Sequence, residues 1–200
     1  AEKIINEGAA IVDIGAYSTR PGALNIEENI EIERLVSAIN YVRKAFPQII
    51  ISADTFRSNV AKEAAQAGAD MINDISGGSL DKKMFAMMAE LKLPYILMHI
   101  QGNPQTMQIN PSYQNVTTEV YEYFNKKIAE LRNLGVTQII IDPGLGFGKN
   151  VEHNFELLKN LENFKSFHLP LLVGASRKSF INKIIHSKPE NALNGTTVIN

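Results

Sequence analysis

Short apolar runs alternate with amphipathic stretches along the whole chain of 200 residues. Each run is nearly continuous in hydrophobicity and rich in β-branched residues, which is typical of parallel strands that are covered on both faces. We therefore predict a strand in each of six runs, which span residues 10–13, 49–54, 71–74, 95–99, 138–142 and 171–175.

Helical periodicity fills the gaps between these runs. In residues 32–46 the apolar positions recur every three or four residues and fall on one helix face. Ser58 is predicted to cap a second helix, whose end is marked by Gly68. Two further helices are predicted, over residues 116–134 and 151–164.

The regular alternation of strand and helix predicts an α/β fold with a parallel sheet. Both an open doubly wound sheet and a closed barrel fit this pattern. Nearly all the predicted strands end in polar residues, and barrel enzymes collect their chemistry from the carboxyl ends of many strands around one mouth. An open sheet would concentrate its ligand contacts at one switch point. We therefore predict a TIM (β/α)8 barrel. The polar residues at the strand ends are Asp13, Asp54, Asn73, Asp74, His99, Asp142 and Ser176.

The two ends of the chain have the character of an internal piece of a longer protein. The first residues, AEKIINEGA, resemble a helix tail that stops at Gly8, and the last residues, NGTTVIN, fall within an apolar pattern. We therefore expect residues 1–200 to form a single barrel domain that is truncated at both ends, with about six of the eight βα units present.

Composition excludes several classes of function. Lys and Arg number 20 and Asp and Glu number 21, a balance that gives no electrostatic footprint for nucleic acid and no polybasic face for a membrane surface. No apolar run approaches the roughly 20 residues of a membrane span. The chain has no cysteine, so disulfides, thiolate nucleophiles and cysteine zinc sites are excluded. We expect a cytoplasmic protein.

The segment DPGLGFGK, residues 142–149, holds three glycines and a lysine in one short loop. A Walker A loop needs a hydroxyl residue directly after its lysine, and a dinucleotide fingerprint needs two residues before its last glycine, so neither phosphate-binding pattern fits. The glycines are expected to let the backbone bend or approach a ligand, although an ordinary turn would also explain them. Asp142 ends a buried strand, where a carboxylate needs a cationic or donor-rich partner that a ligand can provide.

Two further loops carry candidate chemistry. GASRKSF, residues 174–180, joins a strand end to a helix start. Arg177 and Lys178 are predicted in the first helical turn, where cations are unfavourable unless an anion binds there; solvated surface charge is the plainer alternative. DIGAYSTRPGA, residues 13–23, supplies hydroxyl groups, a cation and a fixed turn, and it would also serve as an ordinary βα loop.

Asp54, Asn73 and Asp74 stand at the ends of successive strands. Two carboxylates and an amide can bind a metal ion. They can equally bind the N–H groups of a heterocycle, because carboxylate and amide oxygens are the acceptors that such an edge needs. His99 is a candidate base or ligand, although a single histidine at a strand end is more often structural.

Six segments, in their order and spacing, resemble the dihydropteroate synthase family. They are DIGAYSTRPGA, DTF, INDISGG, MHIQGNPQTMQ, DPGLGFGK and GASRKSF. The match runs along the whole chain, and the motifs STRPGA, DPGLGFGK and SRKSF together are highly specific. Compared with the commoner DIGGESTRPGA of the family, this chain has Ala16 and Tyr17, just before the functional part of that loop.

The resemblance implies a TIM barrel that joins a dihydropterin-CH₂-diphosphate to 4-aminobenzoate and gives 7,8-dihydropteroate and pyrophosphate in folate biosynthesis. It implies catalytic roles for Asp54 and Lys178, with Asp54 stabilising a developing pterin methylene cation by its negative charge. The implied pterin-binding residues are Thr19, Asp54, Asn73, Met98, Asp142, Gly174 and Lys178. The implied 4-aminobenzoate-binding residues are Thr19, Arg20, Pro21, Phe147 and Ser176.

The resemblance also implies a Mg²⁺ cofactor, a homodimer and a target for sulfonamides. The family's magnesium-binding asparagine would lie before residue 1 and its diphosphate-binding Arg-x-His after residue 200, so no metal ligand is assigned within the chain. We therefore expect these residues alone to have little or no synthase activity. Two alternatives remain open, namely the pterin-binding barrel of a corrinoid methyltransferase and a non-catalytic pterin-binding fragment.

Overall fold

A five-stranded parallel sheet forms the centre of the fold. The computed structural model describes residues 1–18, 24–176 and 178–184. The strands follow one another across the sheet in chain order, so each strand pairs with the next one along the sequence. They are β1 (Ile11–Gly15), β2 (Ile50–Asp54), β3 (Met71–Asp74), β4 (Tyr95–Met98) and β5 (Ile139–Asp142).

Helices cover one face of this sheet. The apolar sides of these helices and the strand residues that face them form one continuous core. A 3-10 helix, Leu161–Phe167, follows the sixth α-helix. Within the described residues, no helix combines the length and the apolar character that crossing a bilayer requires. The helices are α1 (Glu2–Asn6), α2 (Glu28–Ala45), α3 (Ser58–Gln66), α4 (Met84–Leu91), α5 (Val116–Asn133), α6 (Val151–Lys159) and α7 (Ser179–Ile184).

The strand order is that of a barrel wall. A doubly wound sheet reverses its order at a switch point, whereas the strands here run in sequence from β1 to β5. The predicted barrel architecture is therefore confirmed, as a partial barrel of five strands. The predicted sixth strand reduces to a single parallel bridge between Ile141 and Leu171. The N–H of Leu172 donates to the Ile141 carbonyl at 2.9 Å, so this segment occupies the next position along the wall.

Side chains alternate between the two faces of the sheet, because successive residues of a strand point to opposite sides. The face that packs on the helices is apolar, and Ile51, Ile72, Leu97 and Ile141 have lost nearly all solvent contact there. The opposite face lines the inside of the barrel wall and carries the polar strand ends. Its residues, in register across the sheet, are Asp13, Ser52, Asp54, Met71, Asn73, Ile96, Met98, Ile140 and Asp142.

Three local features differ from the predictions. Ser58 is the first residue of α3 rather than its cap, and its N–H donates to the Asp81 carboxylate at 2.7 Å. The predicted helix over 151–164 is divided, since α6 ends at Lys159 and the 3-10 helix follows. Periodicity does not predict α4, because its sequence MFAMMAEL is apolar on most of its surface and offers no polar face.

We expect Asp81→Ala to lower the free energy of unfolding by about 1 kcal/mol, because it removes the acceptor that satisfies the first N–H group of α3. Asp81→Asn should keep most of this stability, since its amide oxygen can still accept the bond. Urea unfolding of both variants measures the difference. Equal stability of Asp81→Ala and the wild-type protein would show that α3 is capped in another way.

Candidate active site

Three polar side chains from neighbouring strands converge on the inner face of the sheet. The amide nitrogen of Asn73 donates to an oxygen of Asp13 at 3.1 Å, across the intervening strand β2. Asp54 lies between them in register, opposite Gly15 of β1 and Asn73 of β3. A Cβ atom at Gly15 would lie 3.2 Å from the Asp54 side chain, so the glycine leaves room for this carboxyl group.

The environment of Asp54 favours its neutral form. Burial raises the pKa of Asp54 to about 8, and the negative charges of Asp13, Asp74 and Glu31 act in the same direction. In the unliganded protein Asp54 therefore holds a proton at neutral pH. The predicted role of Asp54 as a negative charge beside a cation needs that charge to be created when the ligand is bound.

Asp74 belongs to the opposite face of the sheet. Its carboxylate accepts from the Tyr95 hydroxyl at 2.7 Å and from the N–H groups of Ser76 and Gly78 at 2.7 and 2.8 Å. Asp54, Asn73 and Asp74 therefore do not form one cluster, because adjacent strand residues point to opposite sides. In the part of the chain that the structure describes, no group of three or more His, Asp or Glu side chains is placed to hold a metal ion.

Asp142 ends β5 on the inner face, in register with Met98 of β4. Its side chain is 8% exposed, and its Oδ1 atom accepts from the N–H of Gly144 at 2.8 Å. Burial raises the pKa of Asp142 to about 6, although the Gly144 N–H and the positive charges of Lys178 and Lys149 lower it. Asp142 is therefore mainly ionised at neutral pH, unlike Asp54.

Lys178 reaches into the same site from the chain segment before α7. Its ammonium lies 4.6 Å from the centroid of the Phe147 ring, a cation–π contact. Burial lowers the pKa of Lys178, and the carboxylate of Asp142 opposes that shift. Cβ atoms at Gly146 and Gly174 would lie 3.3 and 3.7 Å from the lysine side chain, so both glycines border its path.

This position of Lys178 corrects one prediction. Because α7 begins at Ser179, Lys178 precedes the helix instead of lying in its first turn. Its ammonium contacts the Phe147 ring and lies near the carboxylate of Asp142. Ser176 lies exposed in the turn before it.

Lys149 is a buried part of the site that sequence reasoning missed. Its side chain is 3% exposed and its ammonium contacts His99 and two backbone carbonyl groups of the 142–149 loop. Burial lowers the pKa of Lys149 to about 7, with Asp142 raising it and Lys178 lowering it further. Burial also holds the pKa of His99 well below its usual value, so His99 is neutral. The one available signal was the lysine that ends the glycine-rich loop.

The remaining predicted site residues are placed as follows. Met98 is buried on the inner face beside Asp142. Tyr17, two residues after β1, donates from its hydroxyl to the Asn25 side chain, and its ring packs on Phe56. The predicted site residues Thr19, Arg20 and Pro21, and also Arg177, lie outside the described residues.

A barrel wall with ionisable residues gathered at the carboxyl ends of its strands defines the class of this protein. It is an α/β-barrel protein with a candidate ligand site at the mouth of the barrel. Asp54, Asn73 and Asp142 share the inner face of the sheet, and Lys178 lies near Asp142 and contacts Phe147.

The chain belongs to the pterin binding enzyme family, which matches residues 1–200. A dihydropteroate synthase of Synechocystis sp. is 47% identical over 187 residues, which cover 92% of this chain and 64% of that protein. A dihydropteroate synthase of Escherichia coli is 43% identical over 198 residues, which cover 98% of this chain and 70% of that protein. The chain thus spans about two thirds of the length of these curated relatives.

Solved structures share the fold over nearly the whole chain. The dihydropteroate synthase of Yersinia pestis with a sulfonamide drug has a TM-score of 0.93 and 37% identity, and the match covers 99% of this chain and 72% of that one. The dihydropteroate synthase of Xanthomonas albilineans with 4-aminobenzoic acid has a TM-score of 0.91 and 32% identity, with coverage of 99% and 71%.

Asp54→Asn should stabilise the fold at pH 8 by at least about 1 kcal/mol and by much less near pH 4. The folded-state pKa of Asp54 is raised from 3.8 to about 8, so the wild-type chain takes up a proton on folding between these values. Its stability therefore falls as pH rises through this window, whereas asparagine takes up no proton. Calorimetric unfolding of both proteins at several pH values across the window tests this. If the free energy of unfolding depends on pH in the same way in both proteins, the raised pKa is contradicted.

Proposed function

We propose that this chain forms the pterin-binding core of a dihydropteroate synthase. The proposed transferase reaction joins (7,8-dihydropterin-6-yl)methyl diphosphate to 4-aminobenzoate. One observation carries the proposal, namely the buried carboxyl group of Asp142 near Lys178, whose ammonium contacts the Phe147 ring. The family and the curated relatives support the same activity.

The pterin would bind on the inner face of the sheet. Ionised Asp142 can only accept hydrogen bonds, so it suits the N–H groups on the guanidine-like edge of the pterin. Neutral Asp54 can donate to a ring nitrogen and accept through its other oxygen, and Asn73 offers the same combination. Met98 would provide an apolar surface beside them, and Lys178 would cover the ring from the side of Gly174.

The second substrate would enter beside Phe147. The ring of Phe147 is held against the Lys178 ammonium and can wall the 4-aminobenzoate ring. Ser176 is exposed in the turn that follows, where its hydroxyl can donate to a carboxylate. Thr19, Arg20 and Pro21 complete this proposed site on the basis of the family resemblance, together with the role of Thr19 in the pterin site.

In the proposed reaction the aromatic amine attacks the pterin methylene carbon. The C–O bond to diphosphate breaks, the diphosphate leaves with the bonding pair, and the new C–N bond forms with release of one amine proton. Positive charge that develops beside Asp54 lowers its pKa, so the carboxyl group would release its proton to solvent and stabilise that charge as an ion. Lys178 would hold the pterin in place throughout.

Mg²⁺ is proposed as the cofactor, and it would neutralise the charge of the leaving diphosphate. The described residues supply no cluster of acidic or histidine side chains suited to a metal ion. By the family resemblance, the asparagine ligand would lie before residue 1. No step of the proposed reaction is therefore assigned to a metal ligand within this chain.

We also propose, from the family resemblance, that residues 1–200 belong to one barrel domain and that the protein is a cytoplasmic homodimer. The balanced charge of −1 supports small-molecule substrates rather than nucleic acid or a membrane surface as partners. Light scattering measures the oligomeric state directly.

Two other readings are less favoured. A corrinoid methyltransferase barrel would share the pterin carboxylates but would lack the STRPGA and SRKSF motifs that this chain contains. A non-catalytic pterin-binding fragment differs from a synthase in turnover alone. Assays for pyrophosphate release and dihydropteroate formation, made on the protein that contains this chain, separate both alternatives from the proposed function.

Asp142→Asn should weaken binding of a pterin by about 2 kcal/mol or more, because it removes the charge from a buried charge-assisted pair. Isothermal titration calorimetry with a pterin measures this loss, which corresponds to about thirtyfold in Kd. The exposed change Glu122→Gln on α5 serves as the control and should leave the affinity unchanged. Wild-type affinity in Asp142→Asn would remove Asp142 from the pterin site.

The affinity of the wild-type protein for the pterin should also fall as pH drops below about 6. Burial raises the pKa of Asp142 to about 6, and only the ionised form offers two acceptors to the pterin edge. The same titration over a range of pH values measures this dependence. The pterin affinity of Asp142→Asn should not fall at acidic pH. An equal fall in that variant would show that another group causes the pH dependence.

A further inference from the structure

We propose that Lys149 is a positioning residue for the candidate ligand site at the barrel mouth. Lys149 holds the 142–149 loop in the conformation that places Asp142 and Phe147 in this site. Lys149 acts from beneath the loop and does not touch the ligand. The inference rests on the proposed function of this pocket as a pterin site.

The ammonium of Lys149 is surrounded by acceptors from two segments of the chain. Its Nζ atom lies 2.9 Å from Nδ1 of His99, 3.3 Å from the His99 carbonyl oxygen, 3.0 Å from the Gly144 carbonyl oxygen and 2.9 Å from the Phe147 carbonyl oxygen. An ammonium has three N–H donors, and the three carbonyl oxygens are enough to accept from all of them. No donor is left to reach a ligand.

The glycines of the loop let it pass close to the backbone of the segment that follows β4. A Cβ atom at Gly144 would lie 2.0 Å from the His99 carbonyl oxygen, and one at Gly148 would lie 2.6 Å from the Gln101 carbonyl oxygen. Both glycines have positive φ, 69° and 61°, which other residues rarely adopt. Buried carbonyl groups need donors, and Lys149 supplies them at the centre of the loop.

Two connections lead from Lys149 to the pocket. The Gly144 residue whose carbonyl oxygen accepts from Lys149 also donates its N–H to the Asp142 carboxylate at 2.8 Å. The Phe147 residue whose carbonyl oxygen accepts from Lys149 carries the ring that lies 4.6 Å from the Lys178 ammonium. Lys149 therefore bonds directly to the backbone of Phe147, and it acts on Asp142 through Gly144.

His99 completes the arrangement from β4. Its backbone N–H donates to the Asp142 carbonyl oxygen at 3.0 Å, and its ring packs edge-on against Tyr123. The Tyr113 hydroxyl donates to the Gly148 carbonyl oxygen at 2.7 Å. This bond connects the segment between β4 and α5 to the 142–149 loop. These contacts give Lys149 a rigid partner against which to hold the 142–149 loop.

The test uses Lys149→Met, which keeps the length of the side chain but removes every donor, in the protein that contains this chain. Amide hydrogen exchange of peptides covering residues 142–150 should become about tenfold faster or more without ligand, while peptides from β2 and α3 exchange as in wild type. Pterin affinity measured by calorimetry should fall about tenfold or more. Lys62→Met, an exposed change on α3, is the matched control and should alter neither.

Lys149→Gln provides a second variant whose amide can still donate two hydrogen bonds, and it should lie between wild type and Lys149→Met in both measurements. It also decides the question if Lys149→Met does not fold. Unchanged exchange in residues 142–150, or exchange that accelerates equally throughout the protein, would overturn the positioning role.

The two proposals can fail separately. If the wild-type protein binds no pterin, the proposed function is wrong, and the exchange measurement still decides whether Lys149 orders the loop. The other outcome is that the wild-type protein binds pterin and that both Lys149→Gln and Lys149→Met bind it with wild-type affinity. The positioning role is then wrong and the proposed function stands.

Discussion

A carboxylate buried at the end of β5 imposes the main constraint on the barrel mouth. Asp142 is 8% exposed, and a negative charge in such a place is costly unless donors and cations surround it. The N–H of Gly144 and the positive charges of Lys178 and Lys149 meet this need. They come close because the 142–149 loop contains glycines, since a side chain at Gly144 would collide with the His99 carbonyl group. The shape of the loop and the ionisation of the site therefore have one common cause.

The carboxyl groups at the strand ends differ because their surroundings differ. Burial raises the pKa of Asp54 to about 8, and several negative neighbours act in the same direction. Asp142 has a donor and two nearby cations, so burial raises its pKa only to about 6. At neutral pH the mouth therefore presents one carboxylic acid that can donate and one carboxylate that can only accept. A flat heterocycle with donors on one edge and acceptors on another is complementary to this pair.

The inner face depends on contacts made on the outer face of the sheet. Thr55 directly follows Asp54, and its hydroxyl donates at 2.7 Å to Glu31, which is completely buried on α2. Arg57 pairs with the other oxygen of Glu31 at 2.7 Å. Asp74 and Tyr95 form a similar bond at 2.7 Å between β3 and β4. These bonds hold the strand ends from the helix side and so help to position the side chains on the inner face.

The sequence by itself determined the five strands, most of the helices and the barrel class, and it singled out Asp54, Asn73 and Asp142 as candidate site residues. Strand alternation and polar strand ends are local patterns, so they can be read along the chain. Contacts between distant segments were decided by the tertiary structure alone. Examples are the bond of Lys149 to His99, 50 residues away, and the capping of α3 by Asp81, 23 residues away. Protonation also required the fold, because the pKa of Asp54 depends on burial and on charges from β1, β3 and α2.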